Sequence, residues 1–79
     1  MSEAAIEIAL GLTTSQRRAV LRLDPDAHHP YSRVYGKNRT SLFGLGVLQY
    51  VAADTMELTP LGKQVRAHLL ASEGGNPNG

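Results

Sequence analysis

The chain has 79 residues and contains no cysteine, so packing alone has to hold its fold together. The absence of cysteine excludes disulfide frameworks, cysteine-ligated zinc, iron–sulfur clusters and thiol nucleophiles. A chain of this length forms one domain, and its narrow stability margin leaves room for a partner or a dimer interface to add to it. No apolar run reaches the roughly 18–20 residues of a membrane span, and the N-terminus lacks a signal-peptide pattern. We therefore expect a cytoplasmic protein without a membrane partner.

Capping residues and apolar positions at helical spacing predict four helices. Ser2 is placed to cap the first helix, and the run Thr13-Thr14-Ser15 is placed to cap the second. Thr59-Pro60 gives the last helix both a cap and a proline at its first position, where the missing N–H is not needed. Alternating apolar residues in the first segment also fit a strand, although a helix is favoured. The predicted helices cover residues 2–10, 16–23, 38–49 and 60–71.

The segments between and after these helices are predicted to be extended or irregular. Tyr31–Tyr35 alternates like a strand and is closed by Gly36. Residues 50–52 and 56–58 bracket a very short loop and predict a two-stranded hairpin. The tail, residues 72–79, has no apolar residue, and we expect it to be disordered.

Three stretches of the second half carry a resemblance to a known family: Asn38–Leu42, then Leu45, Leu48 and Val51, and most specifically Leu58-Thr59-Pro60-Leu61-Gly62-Lys63. Together they resemble the end of the winged helix-turn-helix DNA-binding domain of small bacterial and phage transcriptional regulators. In that family a recognition helix runs into a two-stranded wing, and a Leu-Thr-Pro-x-Gly-Lys/Arg signature opens the closing helix. The resemblance covers residues 12–70.

The resemblance implies an α+β fold that is mostly helical and has a small two-stranded antiparallel wing. We expect this winged-helix domain over residues 1–71, with residues 1–11 as an N-terminal helical extension. Asp54 and Glu57 are the charged residues of the expected wing, which has no lysine or arginine. The composition of the wing therefore argues against its contact with DNA.

Basic residues concentrate in the middle of the chain. Residues 17–50 hold six basic and two acidic residues, a local excess of +4, whereas residues 51–79 carry −1. The N-terminus of the central helix is predicted to bind DNA, because helix-terminal N–H groups favour phosphate and arginine or asparagine can pair with base edges. A capped helix with a solvated basic loop is the alternative. The predicted DNA-binding residues are Arg33, Lys37, Asn38, Arg39, Thr40 and Ser41.

A second basic group, Arg17, Arg18 and Arg22, lies on the second predicted helix. Contact with backbone phosphate and a merely solvated helix face are both open for these side chains. They are therefore ranked below the residues at the start of the central helix.

Two classes of function remain. The favoured one is a sequence-specific double-stranded DNA-binding protein that regulates transcription, because the basic excess and the resemblance both point to it. The alternative is a winged-helix protein-interaction module that docks through Phe43 and Val47, which lie roughly opposite the predicted core face of the central helix. The DNA-binding hypothesis includes a homodimer through the first or last helix.

No catalytic residue, cofactor or metal site is predicted. His28 and His29 with Asp24 and Asp26 offer nitrogen and oxygen ligands, but no helix orients them and a polar turn is the favoured interpretation. The chain has no nucleophile elbow, no phosphate-cradling glycine loop and no carboxylate pair on a rigid element. We therefore do not expect an enzyme.

Overall fold

The computed structural model describes residues 2–74, which form an α+β fold of four α-helices and a three-stranded antiparallel sheet. The helices are α1 (Glu3–Gly11), α2 (Thr14–Arg22), α3 (Gly36–Gly44) and α4 (Pro60–Leu69). The strands are β1 (His29–Pro30), β2 (Leu48–Ala52) and β3 (Thr55–Leu58), in the order β1-β3-β2. A 3-10 turn (Tyr31–Arg33) follows β1, and a π-helical turn (Leu70–Gly74) continues α4.

The predicted caps at the starts of three helices are confirmed. The Ser2 hydroxyl accepts the Ala5 amide of α1 at 3.2 Å. Thr13 and Gln16 form a capping box at α2, in which each side chain accepts the backbone N–H of the other residue, at 3.1 and 2.9 Å. Thr59 caps α4 by accepting the Gly62 amide at 2.9 Å, with Pro60 at the first helical position. Local sequence signals therefore determine where these helices begin.

The central helix is shorter than predicted, because it ends at Gly44 and not at residues 48–49. Gly46 has a φ of 80°, in the left-handed region that favours glycine. The Gly46 amide donates to the Phe43 carbonyl and the Val47 amide donates to the Leu42 carbonyl, which is the Schellman pattern of helix termination. The chain thus leaves the helix at Gly46, and the residues after it enter β2.

The extended segment predicted over residues 31–35 is wrong, since Tyr31–Arg33 forms a 3-10 turn. The short strand β1 precedes it and pairs with β3, with His29 opposite Met56, so β3 is the central strand. The predicted two-stranded hairpin is confirmed in β2 and β3, but it belongs to a three-stranded sheet. His29 is buried there, and its Nε2 lies 3.0 Å from the Asp24 carbonyl oxygen. The formation of β1 therefore depends on its pairing with β3, which is distant in sequence, and not on a local alternation of apolar and polar residues.

One face of the sheet is buried and the other is solvated. Leu48 pairs with Leu58 on the inner face, and both side chains belong to the core that the helices cover. On the outer face the Gln49 amide donates to Glu57 at 2.7 Å, and Glu57 lies 3.3 Å from His28. This division is the ordinary arrangement of an antiparallel sheet packed on one side.

The first helix, predicted as an N-terminal helical extension of the domain, packs into the core. Ala5 and Ala9 are buried, and α1 packs along α4. The Ser2 amide also donates to Gln64 Oε1 of α4 at 2.9 Å. At the other end of the chain the helical winding runs to Gly74, so the disorder predicted for residues 72–74 is wrong. The rest of that prediction, residues 75–79, lies outside the described residues.

Gly62 allows the first turn of α4 to pass close to the backbone just before the hairpin. A Cβ atom at this position would overlap the backbone carbonyl of Val47. The Thr59 amide donates to the same carbonyl at 3.0 Å, and the neighbouring Leu58 side chain is buried. The close approach therefore fixes α4 against the end of the α3 turn.

We predict that Gly62→Ala lowers the free energy of unfolding by about 1–3 kcal/mol or more, because the added methyl group forces backbone apart in a packed junction. Gly44→Ala is the matched control, since nothing lies within 4 Å of a Cβ atom built there. That control should leave stability unchanged or raise it by up to about 1 kcal/mol. Urea denaturation followed by circular dichroism measures both. Equal effects of the two substitutions would contradict the close approach.

Candidate nucleic-acid interface

A groove with a volume of about 440 Å³ lies between α2 and the N-terminal end of α3. Three arginines line it: Arg18 and Arg22 from α2, and Arg33 from the 3-10 turn. All three side chains are exposed, and no aspartate or glutamate is among the residues that line the groove. The groove therefore presents concentrated positive charge to solvent.

Helix geometry explains why two of these arginines lie together. Residues four apart lie on the same face of an α-helix, so Arg18 and Arg22 project side by side. The neighbouring Val20 and Leu23 are fully buried and hold α2 against the core. Because the buried side chains fix the rotation of the helix, the two arginines are directed outward along the groove.

The N-terminal turns of two helices open into the groove. Thr14 and Ser15 belong to the first turn of α2, and Asn38 belongs to the first turn of α3. The Asn38 side-chain amide donates to the Ser15 hydroxyl at 2.8 Å and so links the two helices. Free N–H groups and the positive end of the helix dipole at each terminus add to the attraction that the arginines exert on an anion.

Arg39, which the sequence predicted as a DNA contact, is half-buried and hydrogen-bonded to the backbone. Its guanidinium donates to the backbone carbonyls of Tyr31 at 2.9 Å and Val34 at 3.2 Å. It also lies 4.3 Å from the centre of the Tyr31 ring, within cation–π distance. These contacts tie the 3-10 turn to α3. Arg39 is therefore a structural clamp for this turn, through backbone carbonyls that only the folded chain brings within its reach. Its contact with DNA stays a prediction.

The other predicted site residues divide between two places. Arg33 and Asn38 line the groove. Lys37, Thr40 and Ser41 are exposed on α3 outside it, where Thr40 donates its hydroxyl to the Gly36 carbonyl at 3.0 Å. Helical spacing puts these three residues on one polar face of α3, adjacent to the groove.

The protein-docking alternative requires Val47 on an exposed helix face, and this expectation is wrong. Its side chain is fully buried, because the left-handed turn at Gly46 sends it into the core. Phe43 is half-buried and stacks on Tyr50 of β2, with ring centres 4.4 Å apart. Tyr50 also contacts Tyr31 edge-to-face at 6.4 Å. The predicted docking pair is thus divided between the core and an aromatic cluster of Tyr31, Phe43 and Tyr50.

Arg18 and Arg22 are the residues that the sequence interpretation ranked too low. The signal for them was present, since two arginines four residues apart on an amphipathic helix share a solvent face. Their proximity to Arg33 could not be read from spacing, because it depends on the 3-10 turn that the Arg39 side chain holds in place.

Among residues 2–74 no group of three or more histidine, aspartate or glutamate side chains is arranged to hold a metal ion. His28 contacts Glu57, and His29 contacts backbone, so the two neighbouring histidines face different partners. No helix within these residues has the length and apolar character needed to cross a bilayer.

We predict that Arg39→Ala lowers the free energy of unfolding by about 1.5–3 kcal/mol, because two carbonyls lose a charged hydrogen-bond donor. Lys37→Ala removes the same charge from an exposed position of the same helix and should change stability by less than about 0.5 kcal/mol. Urea denaturation of both variants measures the difference. An Arg39→Ala protein as stable as the original chain would contradict the structural role of Arg39.

Comparison with known proteins does not assign the chain to a family. No protein-family model, curated protein or solved structure compared with it gives a match. Function therefore has to be argued from the residues of this chain and from the groove that they form.

Proposed function

We propose that this chain is a winged helix-turn-helix domain that binds double-stranded DNA and acts as a small transcriptional regulator. The observation that carries the proposal is the groove, in which three exposed arginines meet two helix N-termini without an acidic residue among the lining side chains. Arginine neutralises phosphate and releases condensed counterions, which is the main source of affinity for DNA. The groove has the charge and the donors for that role.

In this proposal α3 is the recognition helix. Its exposed face carries Lys37, Thr40 and Ser41, whose side chains offer hydrogen bonds to base edges. Gly44 ends that face without a bulky side chain and would let the helix approach the floor of the major groove. The arginine groove beside α3 would hold the backbone phosphates that flank this contact.

In this proposal the helices contact DNA and the hairpin, which is the wing, does not. The residues at its turn are Ala53 and Asp54, both exposed, and neither supplies positive charge. An acidic side chain at the tip would be repelled by phosphate. Three basic residues, Arg18, Arg22 and Arg33, lie instead on α2 and the 3-10 turn.

Protein docking is the second candidate, and it is favoured by a different set of residues from the pair predicted. Tyr50 is 59% exposed and Val51 is 43% exposed on the edge strand β2, and Leu45 is exposed in the turn before this strand. Exposed aromatic and apolar side chains of this kind are typical of protein interfaces. In this alternative Phe43 supports the Tyr50 ring and does not itself dock.

A homodimer through α1 or α4 remains a subsidiary proposal. The two helices pack on each other within the chain, but Leu10 and Leu70 stay exposed. Two copies would present two recognition helices to neighbouring turns of one duplex. Size-exclusion chromatography at two protein concentrations tests this part separately.

We predict that Arg22→Ala weakens binding to a duplex of random sequence. The slope of log affinity against log salt should become less negative by about 0.9, the value for one phosphate contact. Lys63→Ala is the matched control, since it removes one positive charge from an exposed position of α4 outside the groove. Arg22→Lys should keep the slope, because it keeps the charge. Fluorescence anisotropy at several salt concentrations measures all four proteins.

Equal losses in Arg22→Ala and Lys63→Ala would contradict the groove as the binding site, because they would reflect net charge alone. Absence of any binding at about 50 mM salt, where even non-specific attraction is strong, would reject DNA as the ligand. Selection from a pool of random duplexes then tests sequence specificity, and failure to enrich a motif would leave a sequence-independent binder.

A further inference from the structure

Tyr35 is an exposed aromatic residue at the edge of the arginine groove. Its side chain is 76% exposed, and it is one of the residues that line the groove. The described residues hold all four aromatic rings of the chain, and three of them form the cluster of Tyr31, Phe43 and Tyr50. Tyr35 is the ring that has no aromatic partner in the described structure. Packing within the fold therefore does not account for a large ring at this position.

Helix capping does not account for Tyr35 either. Tyr35 occupies the N-cap of α3 and makes no side-chain capping hydrogen bond. Serine, threonine, asparagine or aspartate at an N-cap typically adds about 1 kcal/mol of stability. The other three helices have a serine or threonine at this position. The start of α3 therefore lacks a side-chain capping hydrogen bond, and an exposed tyrosine occupies the N-cap position.

The surroundings of this ring match the requirements for binding a nucleotide. Arg18, Arg22 and Arg33 supply positive charge beside it, and Asn38 supplies an amide. A volume of about 440 Å³ lies within the range of pockets that hold small ligands. An aromatic face next to a positively charged groove is the combination by which proteins hold unpaired bases, since every base has a face on which a ring can stack.

We propose that Tyr35 stacks on a base that is out of the helical stack while the groove arginines hold its flanking phosphates. This inference rests on the proposed DNA-binding function and deepens it by naming the preferred ligand, a duplex that carries an unpaired base. In a fully paired duplex the faces of the bases are covered by their neighbours, so the Tyr35 ring has no partner there.

The test compares a duplex with the same duplex carrying a two-nucleotide bulge. Tyr35→Ala should weaken binding to the bulged duplex at least about fivefold, the low end of the range for base–aromatic stacking, and should leave the intact duplex nearly unchanged. Tyr35→Phe should bind both probes like the original chain, because it keeps the ring. Gln49→Ala is the control, since Gln49 is exposed on the outer face of the sheet, outside the groove and in the hairpin that the proposal keeps away from DNA.

A second measurement does not depend on an alanine variant. The chain has no tryptophan, so Tyr35→Trp introduces a single tryptophan at the groove, and its emission can be excited selectively over that of the remaining tyrosines. Stacking on a base should quench its emission when the bulged duplex is added, and the intact duplex should quench it less. Equal quenching by both probes would overturn the preference for an unpaired base.

The two proposals fail in different ways. If Arg22→Ala weakens DNA binding but Tyr35→Ala binds the bulged duplex like the original chain, the stacking role is wrong and the DNA-binding function stands. If Tyr35→Ala weakens both probes equally, stacking on an unpaired base is also wrong. If the original chain binds neither probe at low salt, the DNA-binding function itself is rejected.

Discussion

The contact between the start of α4 and the turn after α3 is the constraint on which the rest of the fold depends. The Thr59 hydroxyl donates to the Gly46 carbonyl, and the Thr59 amide donates to the Val47 carbonyl. Gly62 lets the first turn of α4 rest against that same backbone. Because Gly46 and Val47 mark the end of one helix and the approach to β2, this junction sets the positions of α3, the hairpin and α4 relative to one another. The recognition face proposed on α3 is oriented by it.

The arginines of the chain divide into those that hold the fold and those that face solvent. Arg39 donates to two carbonyls near the 3-10 turn, and Arg66 reaches the Leu21 carbonyl at the end of α2 at 3.4 Å. Arg18, Arg22 and Arg33 remain exposed at the groove. Hydrogen bonds to two neutral carbonyls leave the guanidinium of Arg39 positively charged. Arg39 therefore still contributes to the local electrostatic field without contacting a ligand. Charge counts along a sequence cannot separate these two roles.

Features that rest on local chemistry could be predicted from the sequence. The caps at Ser2, Thr13 and Thr59 and the hairpin of β2 and β3 depend on residues within a few positions of one another. The end of α3 could not be predicted from apolar spacing, because leucines continue at helical intervals past Gly44 and only the left-handed Gly46 breaks the helix. Strand β1 escaped prediction since its pairing with β3 joins residues more than 20 positions apart. Of the predicted site residues, Arg33 and Asn38 line the groove, whereas Arg39 binds backbone carbonyls that come near it only in the folded chain.

The distribution of acidic residues explains why the groove keeps its positive charge. Glu57 lies on the outer face of the sheet beside His28 and Gln49. Asp24 is used in the turn after α2, where its carboxylate accepts the Asp26 amide at 2.8 Å and its carbonyl oxygen lies beside the His29 ring. Neither carboxylate lies among the residues that line the groove. Exposed arginines without a nearby carboxylate keep their full attraction for an anion, whereas a salt bridge would have to be broken before phosphate could bind. The fold thus keeps Asp24 and Glu57 away from the groove, and this separation leaves the groove arginines available to a ligand.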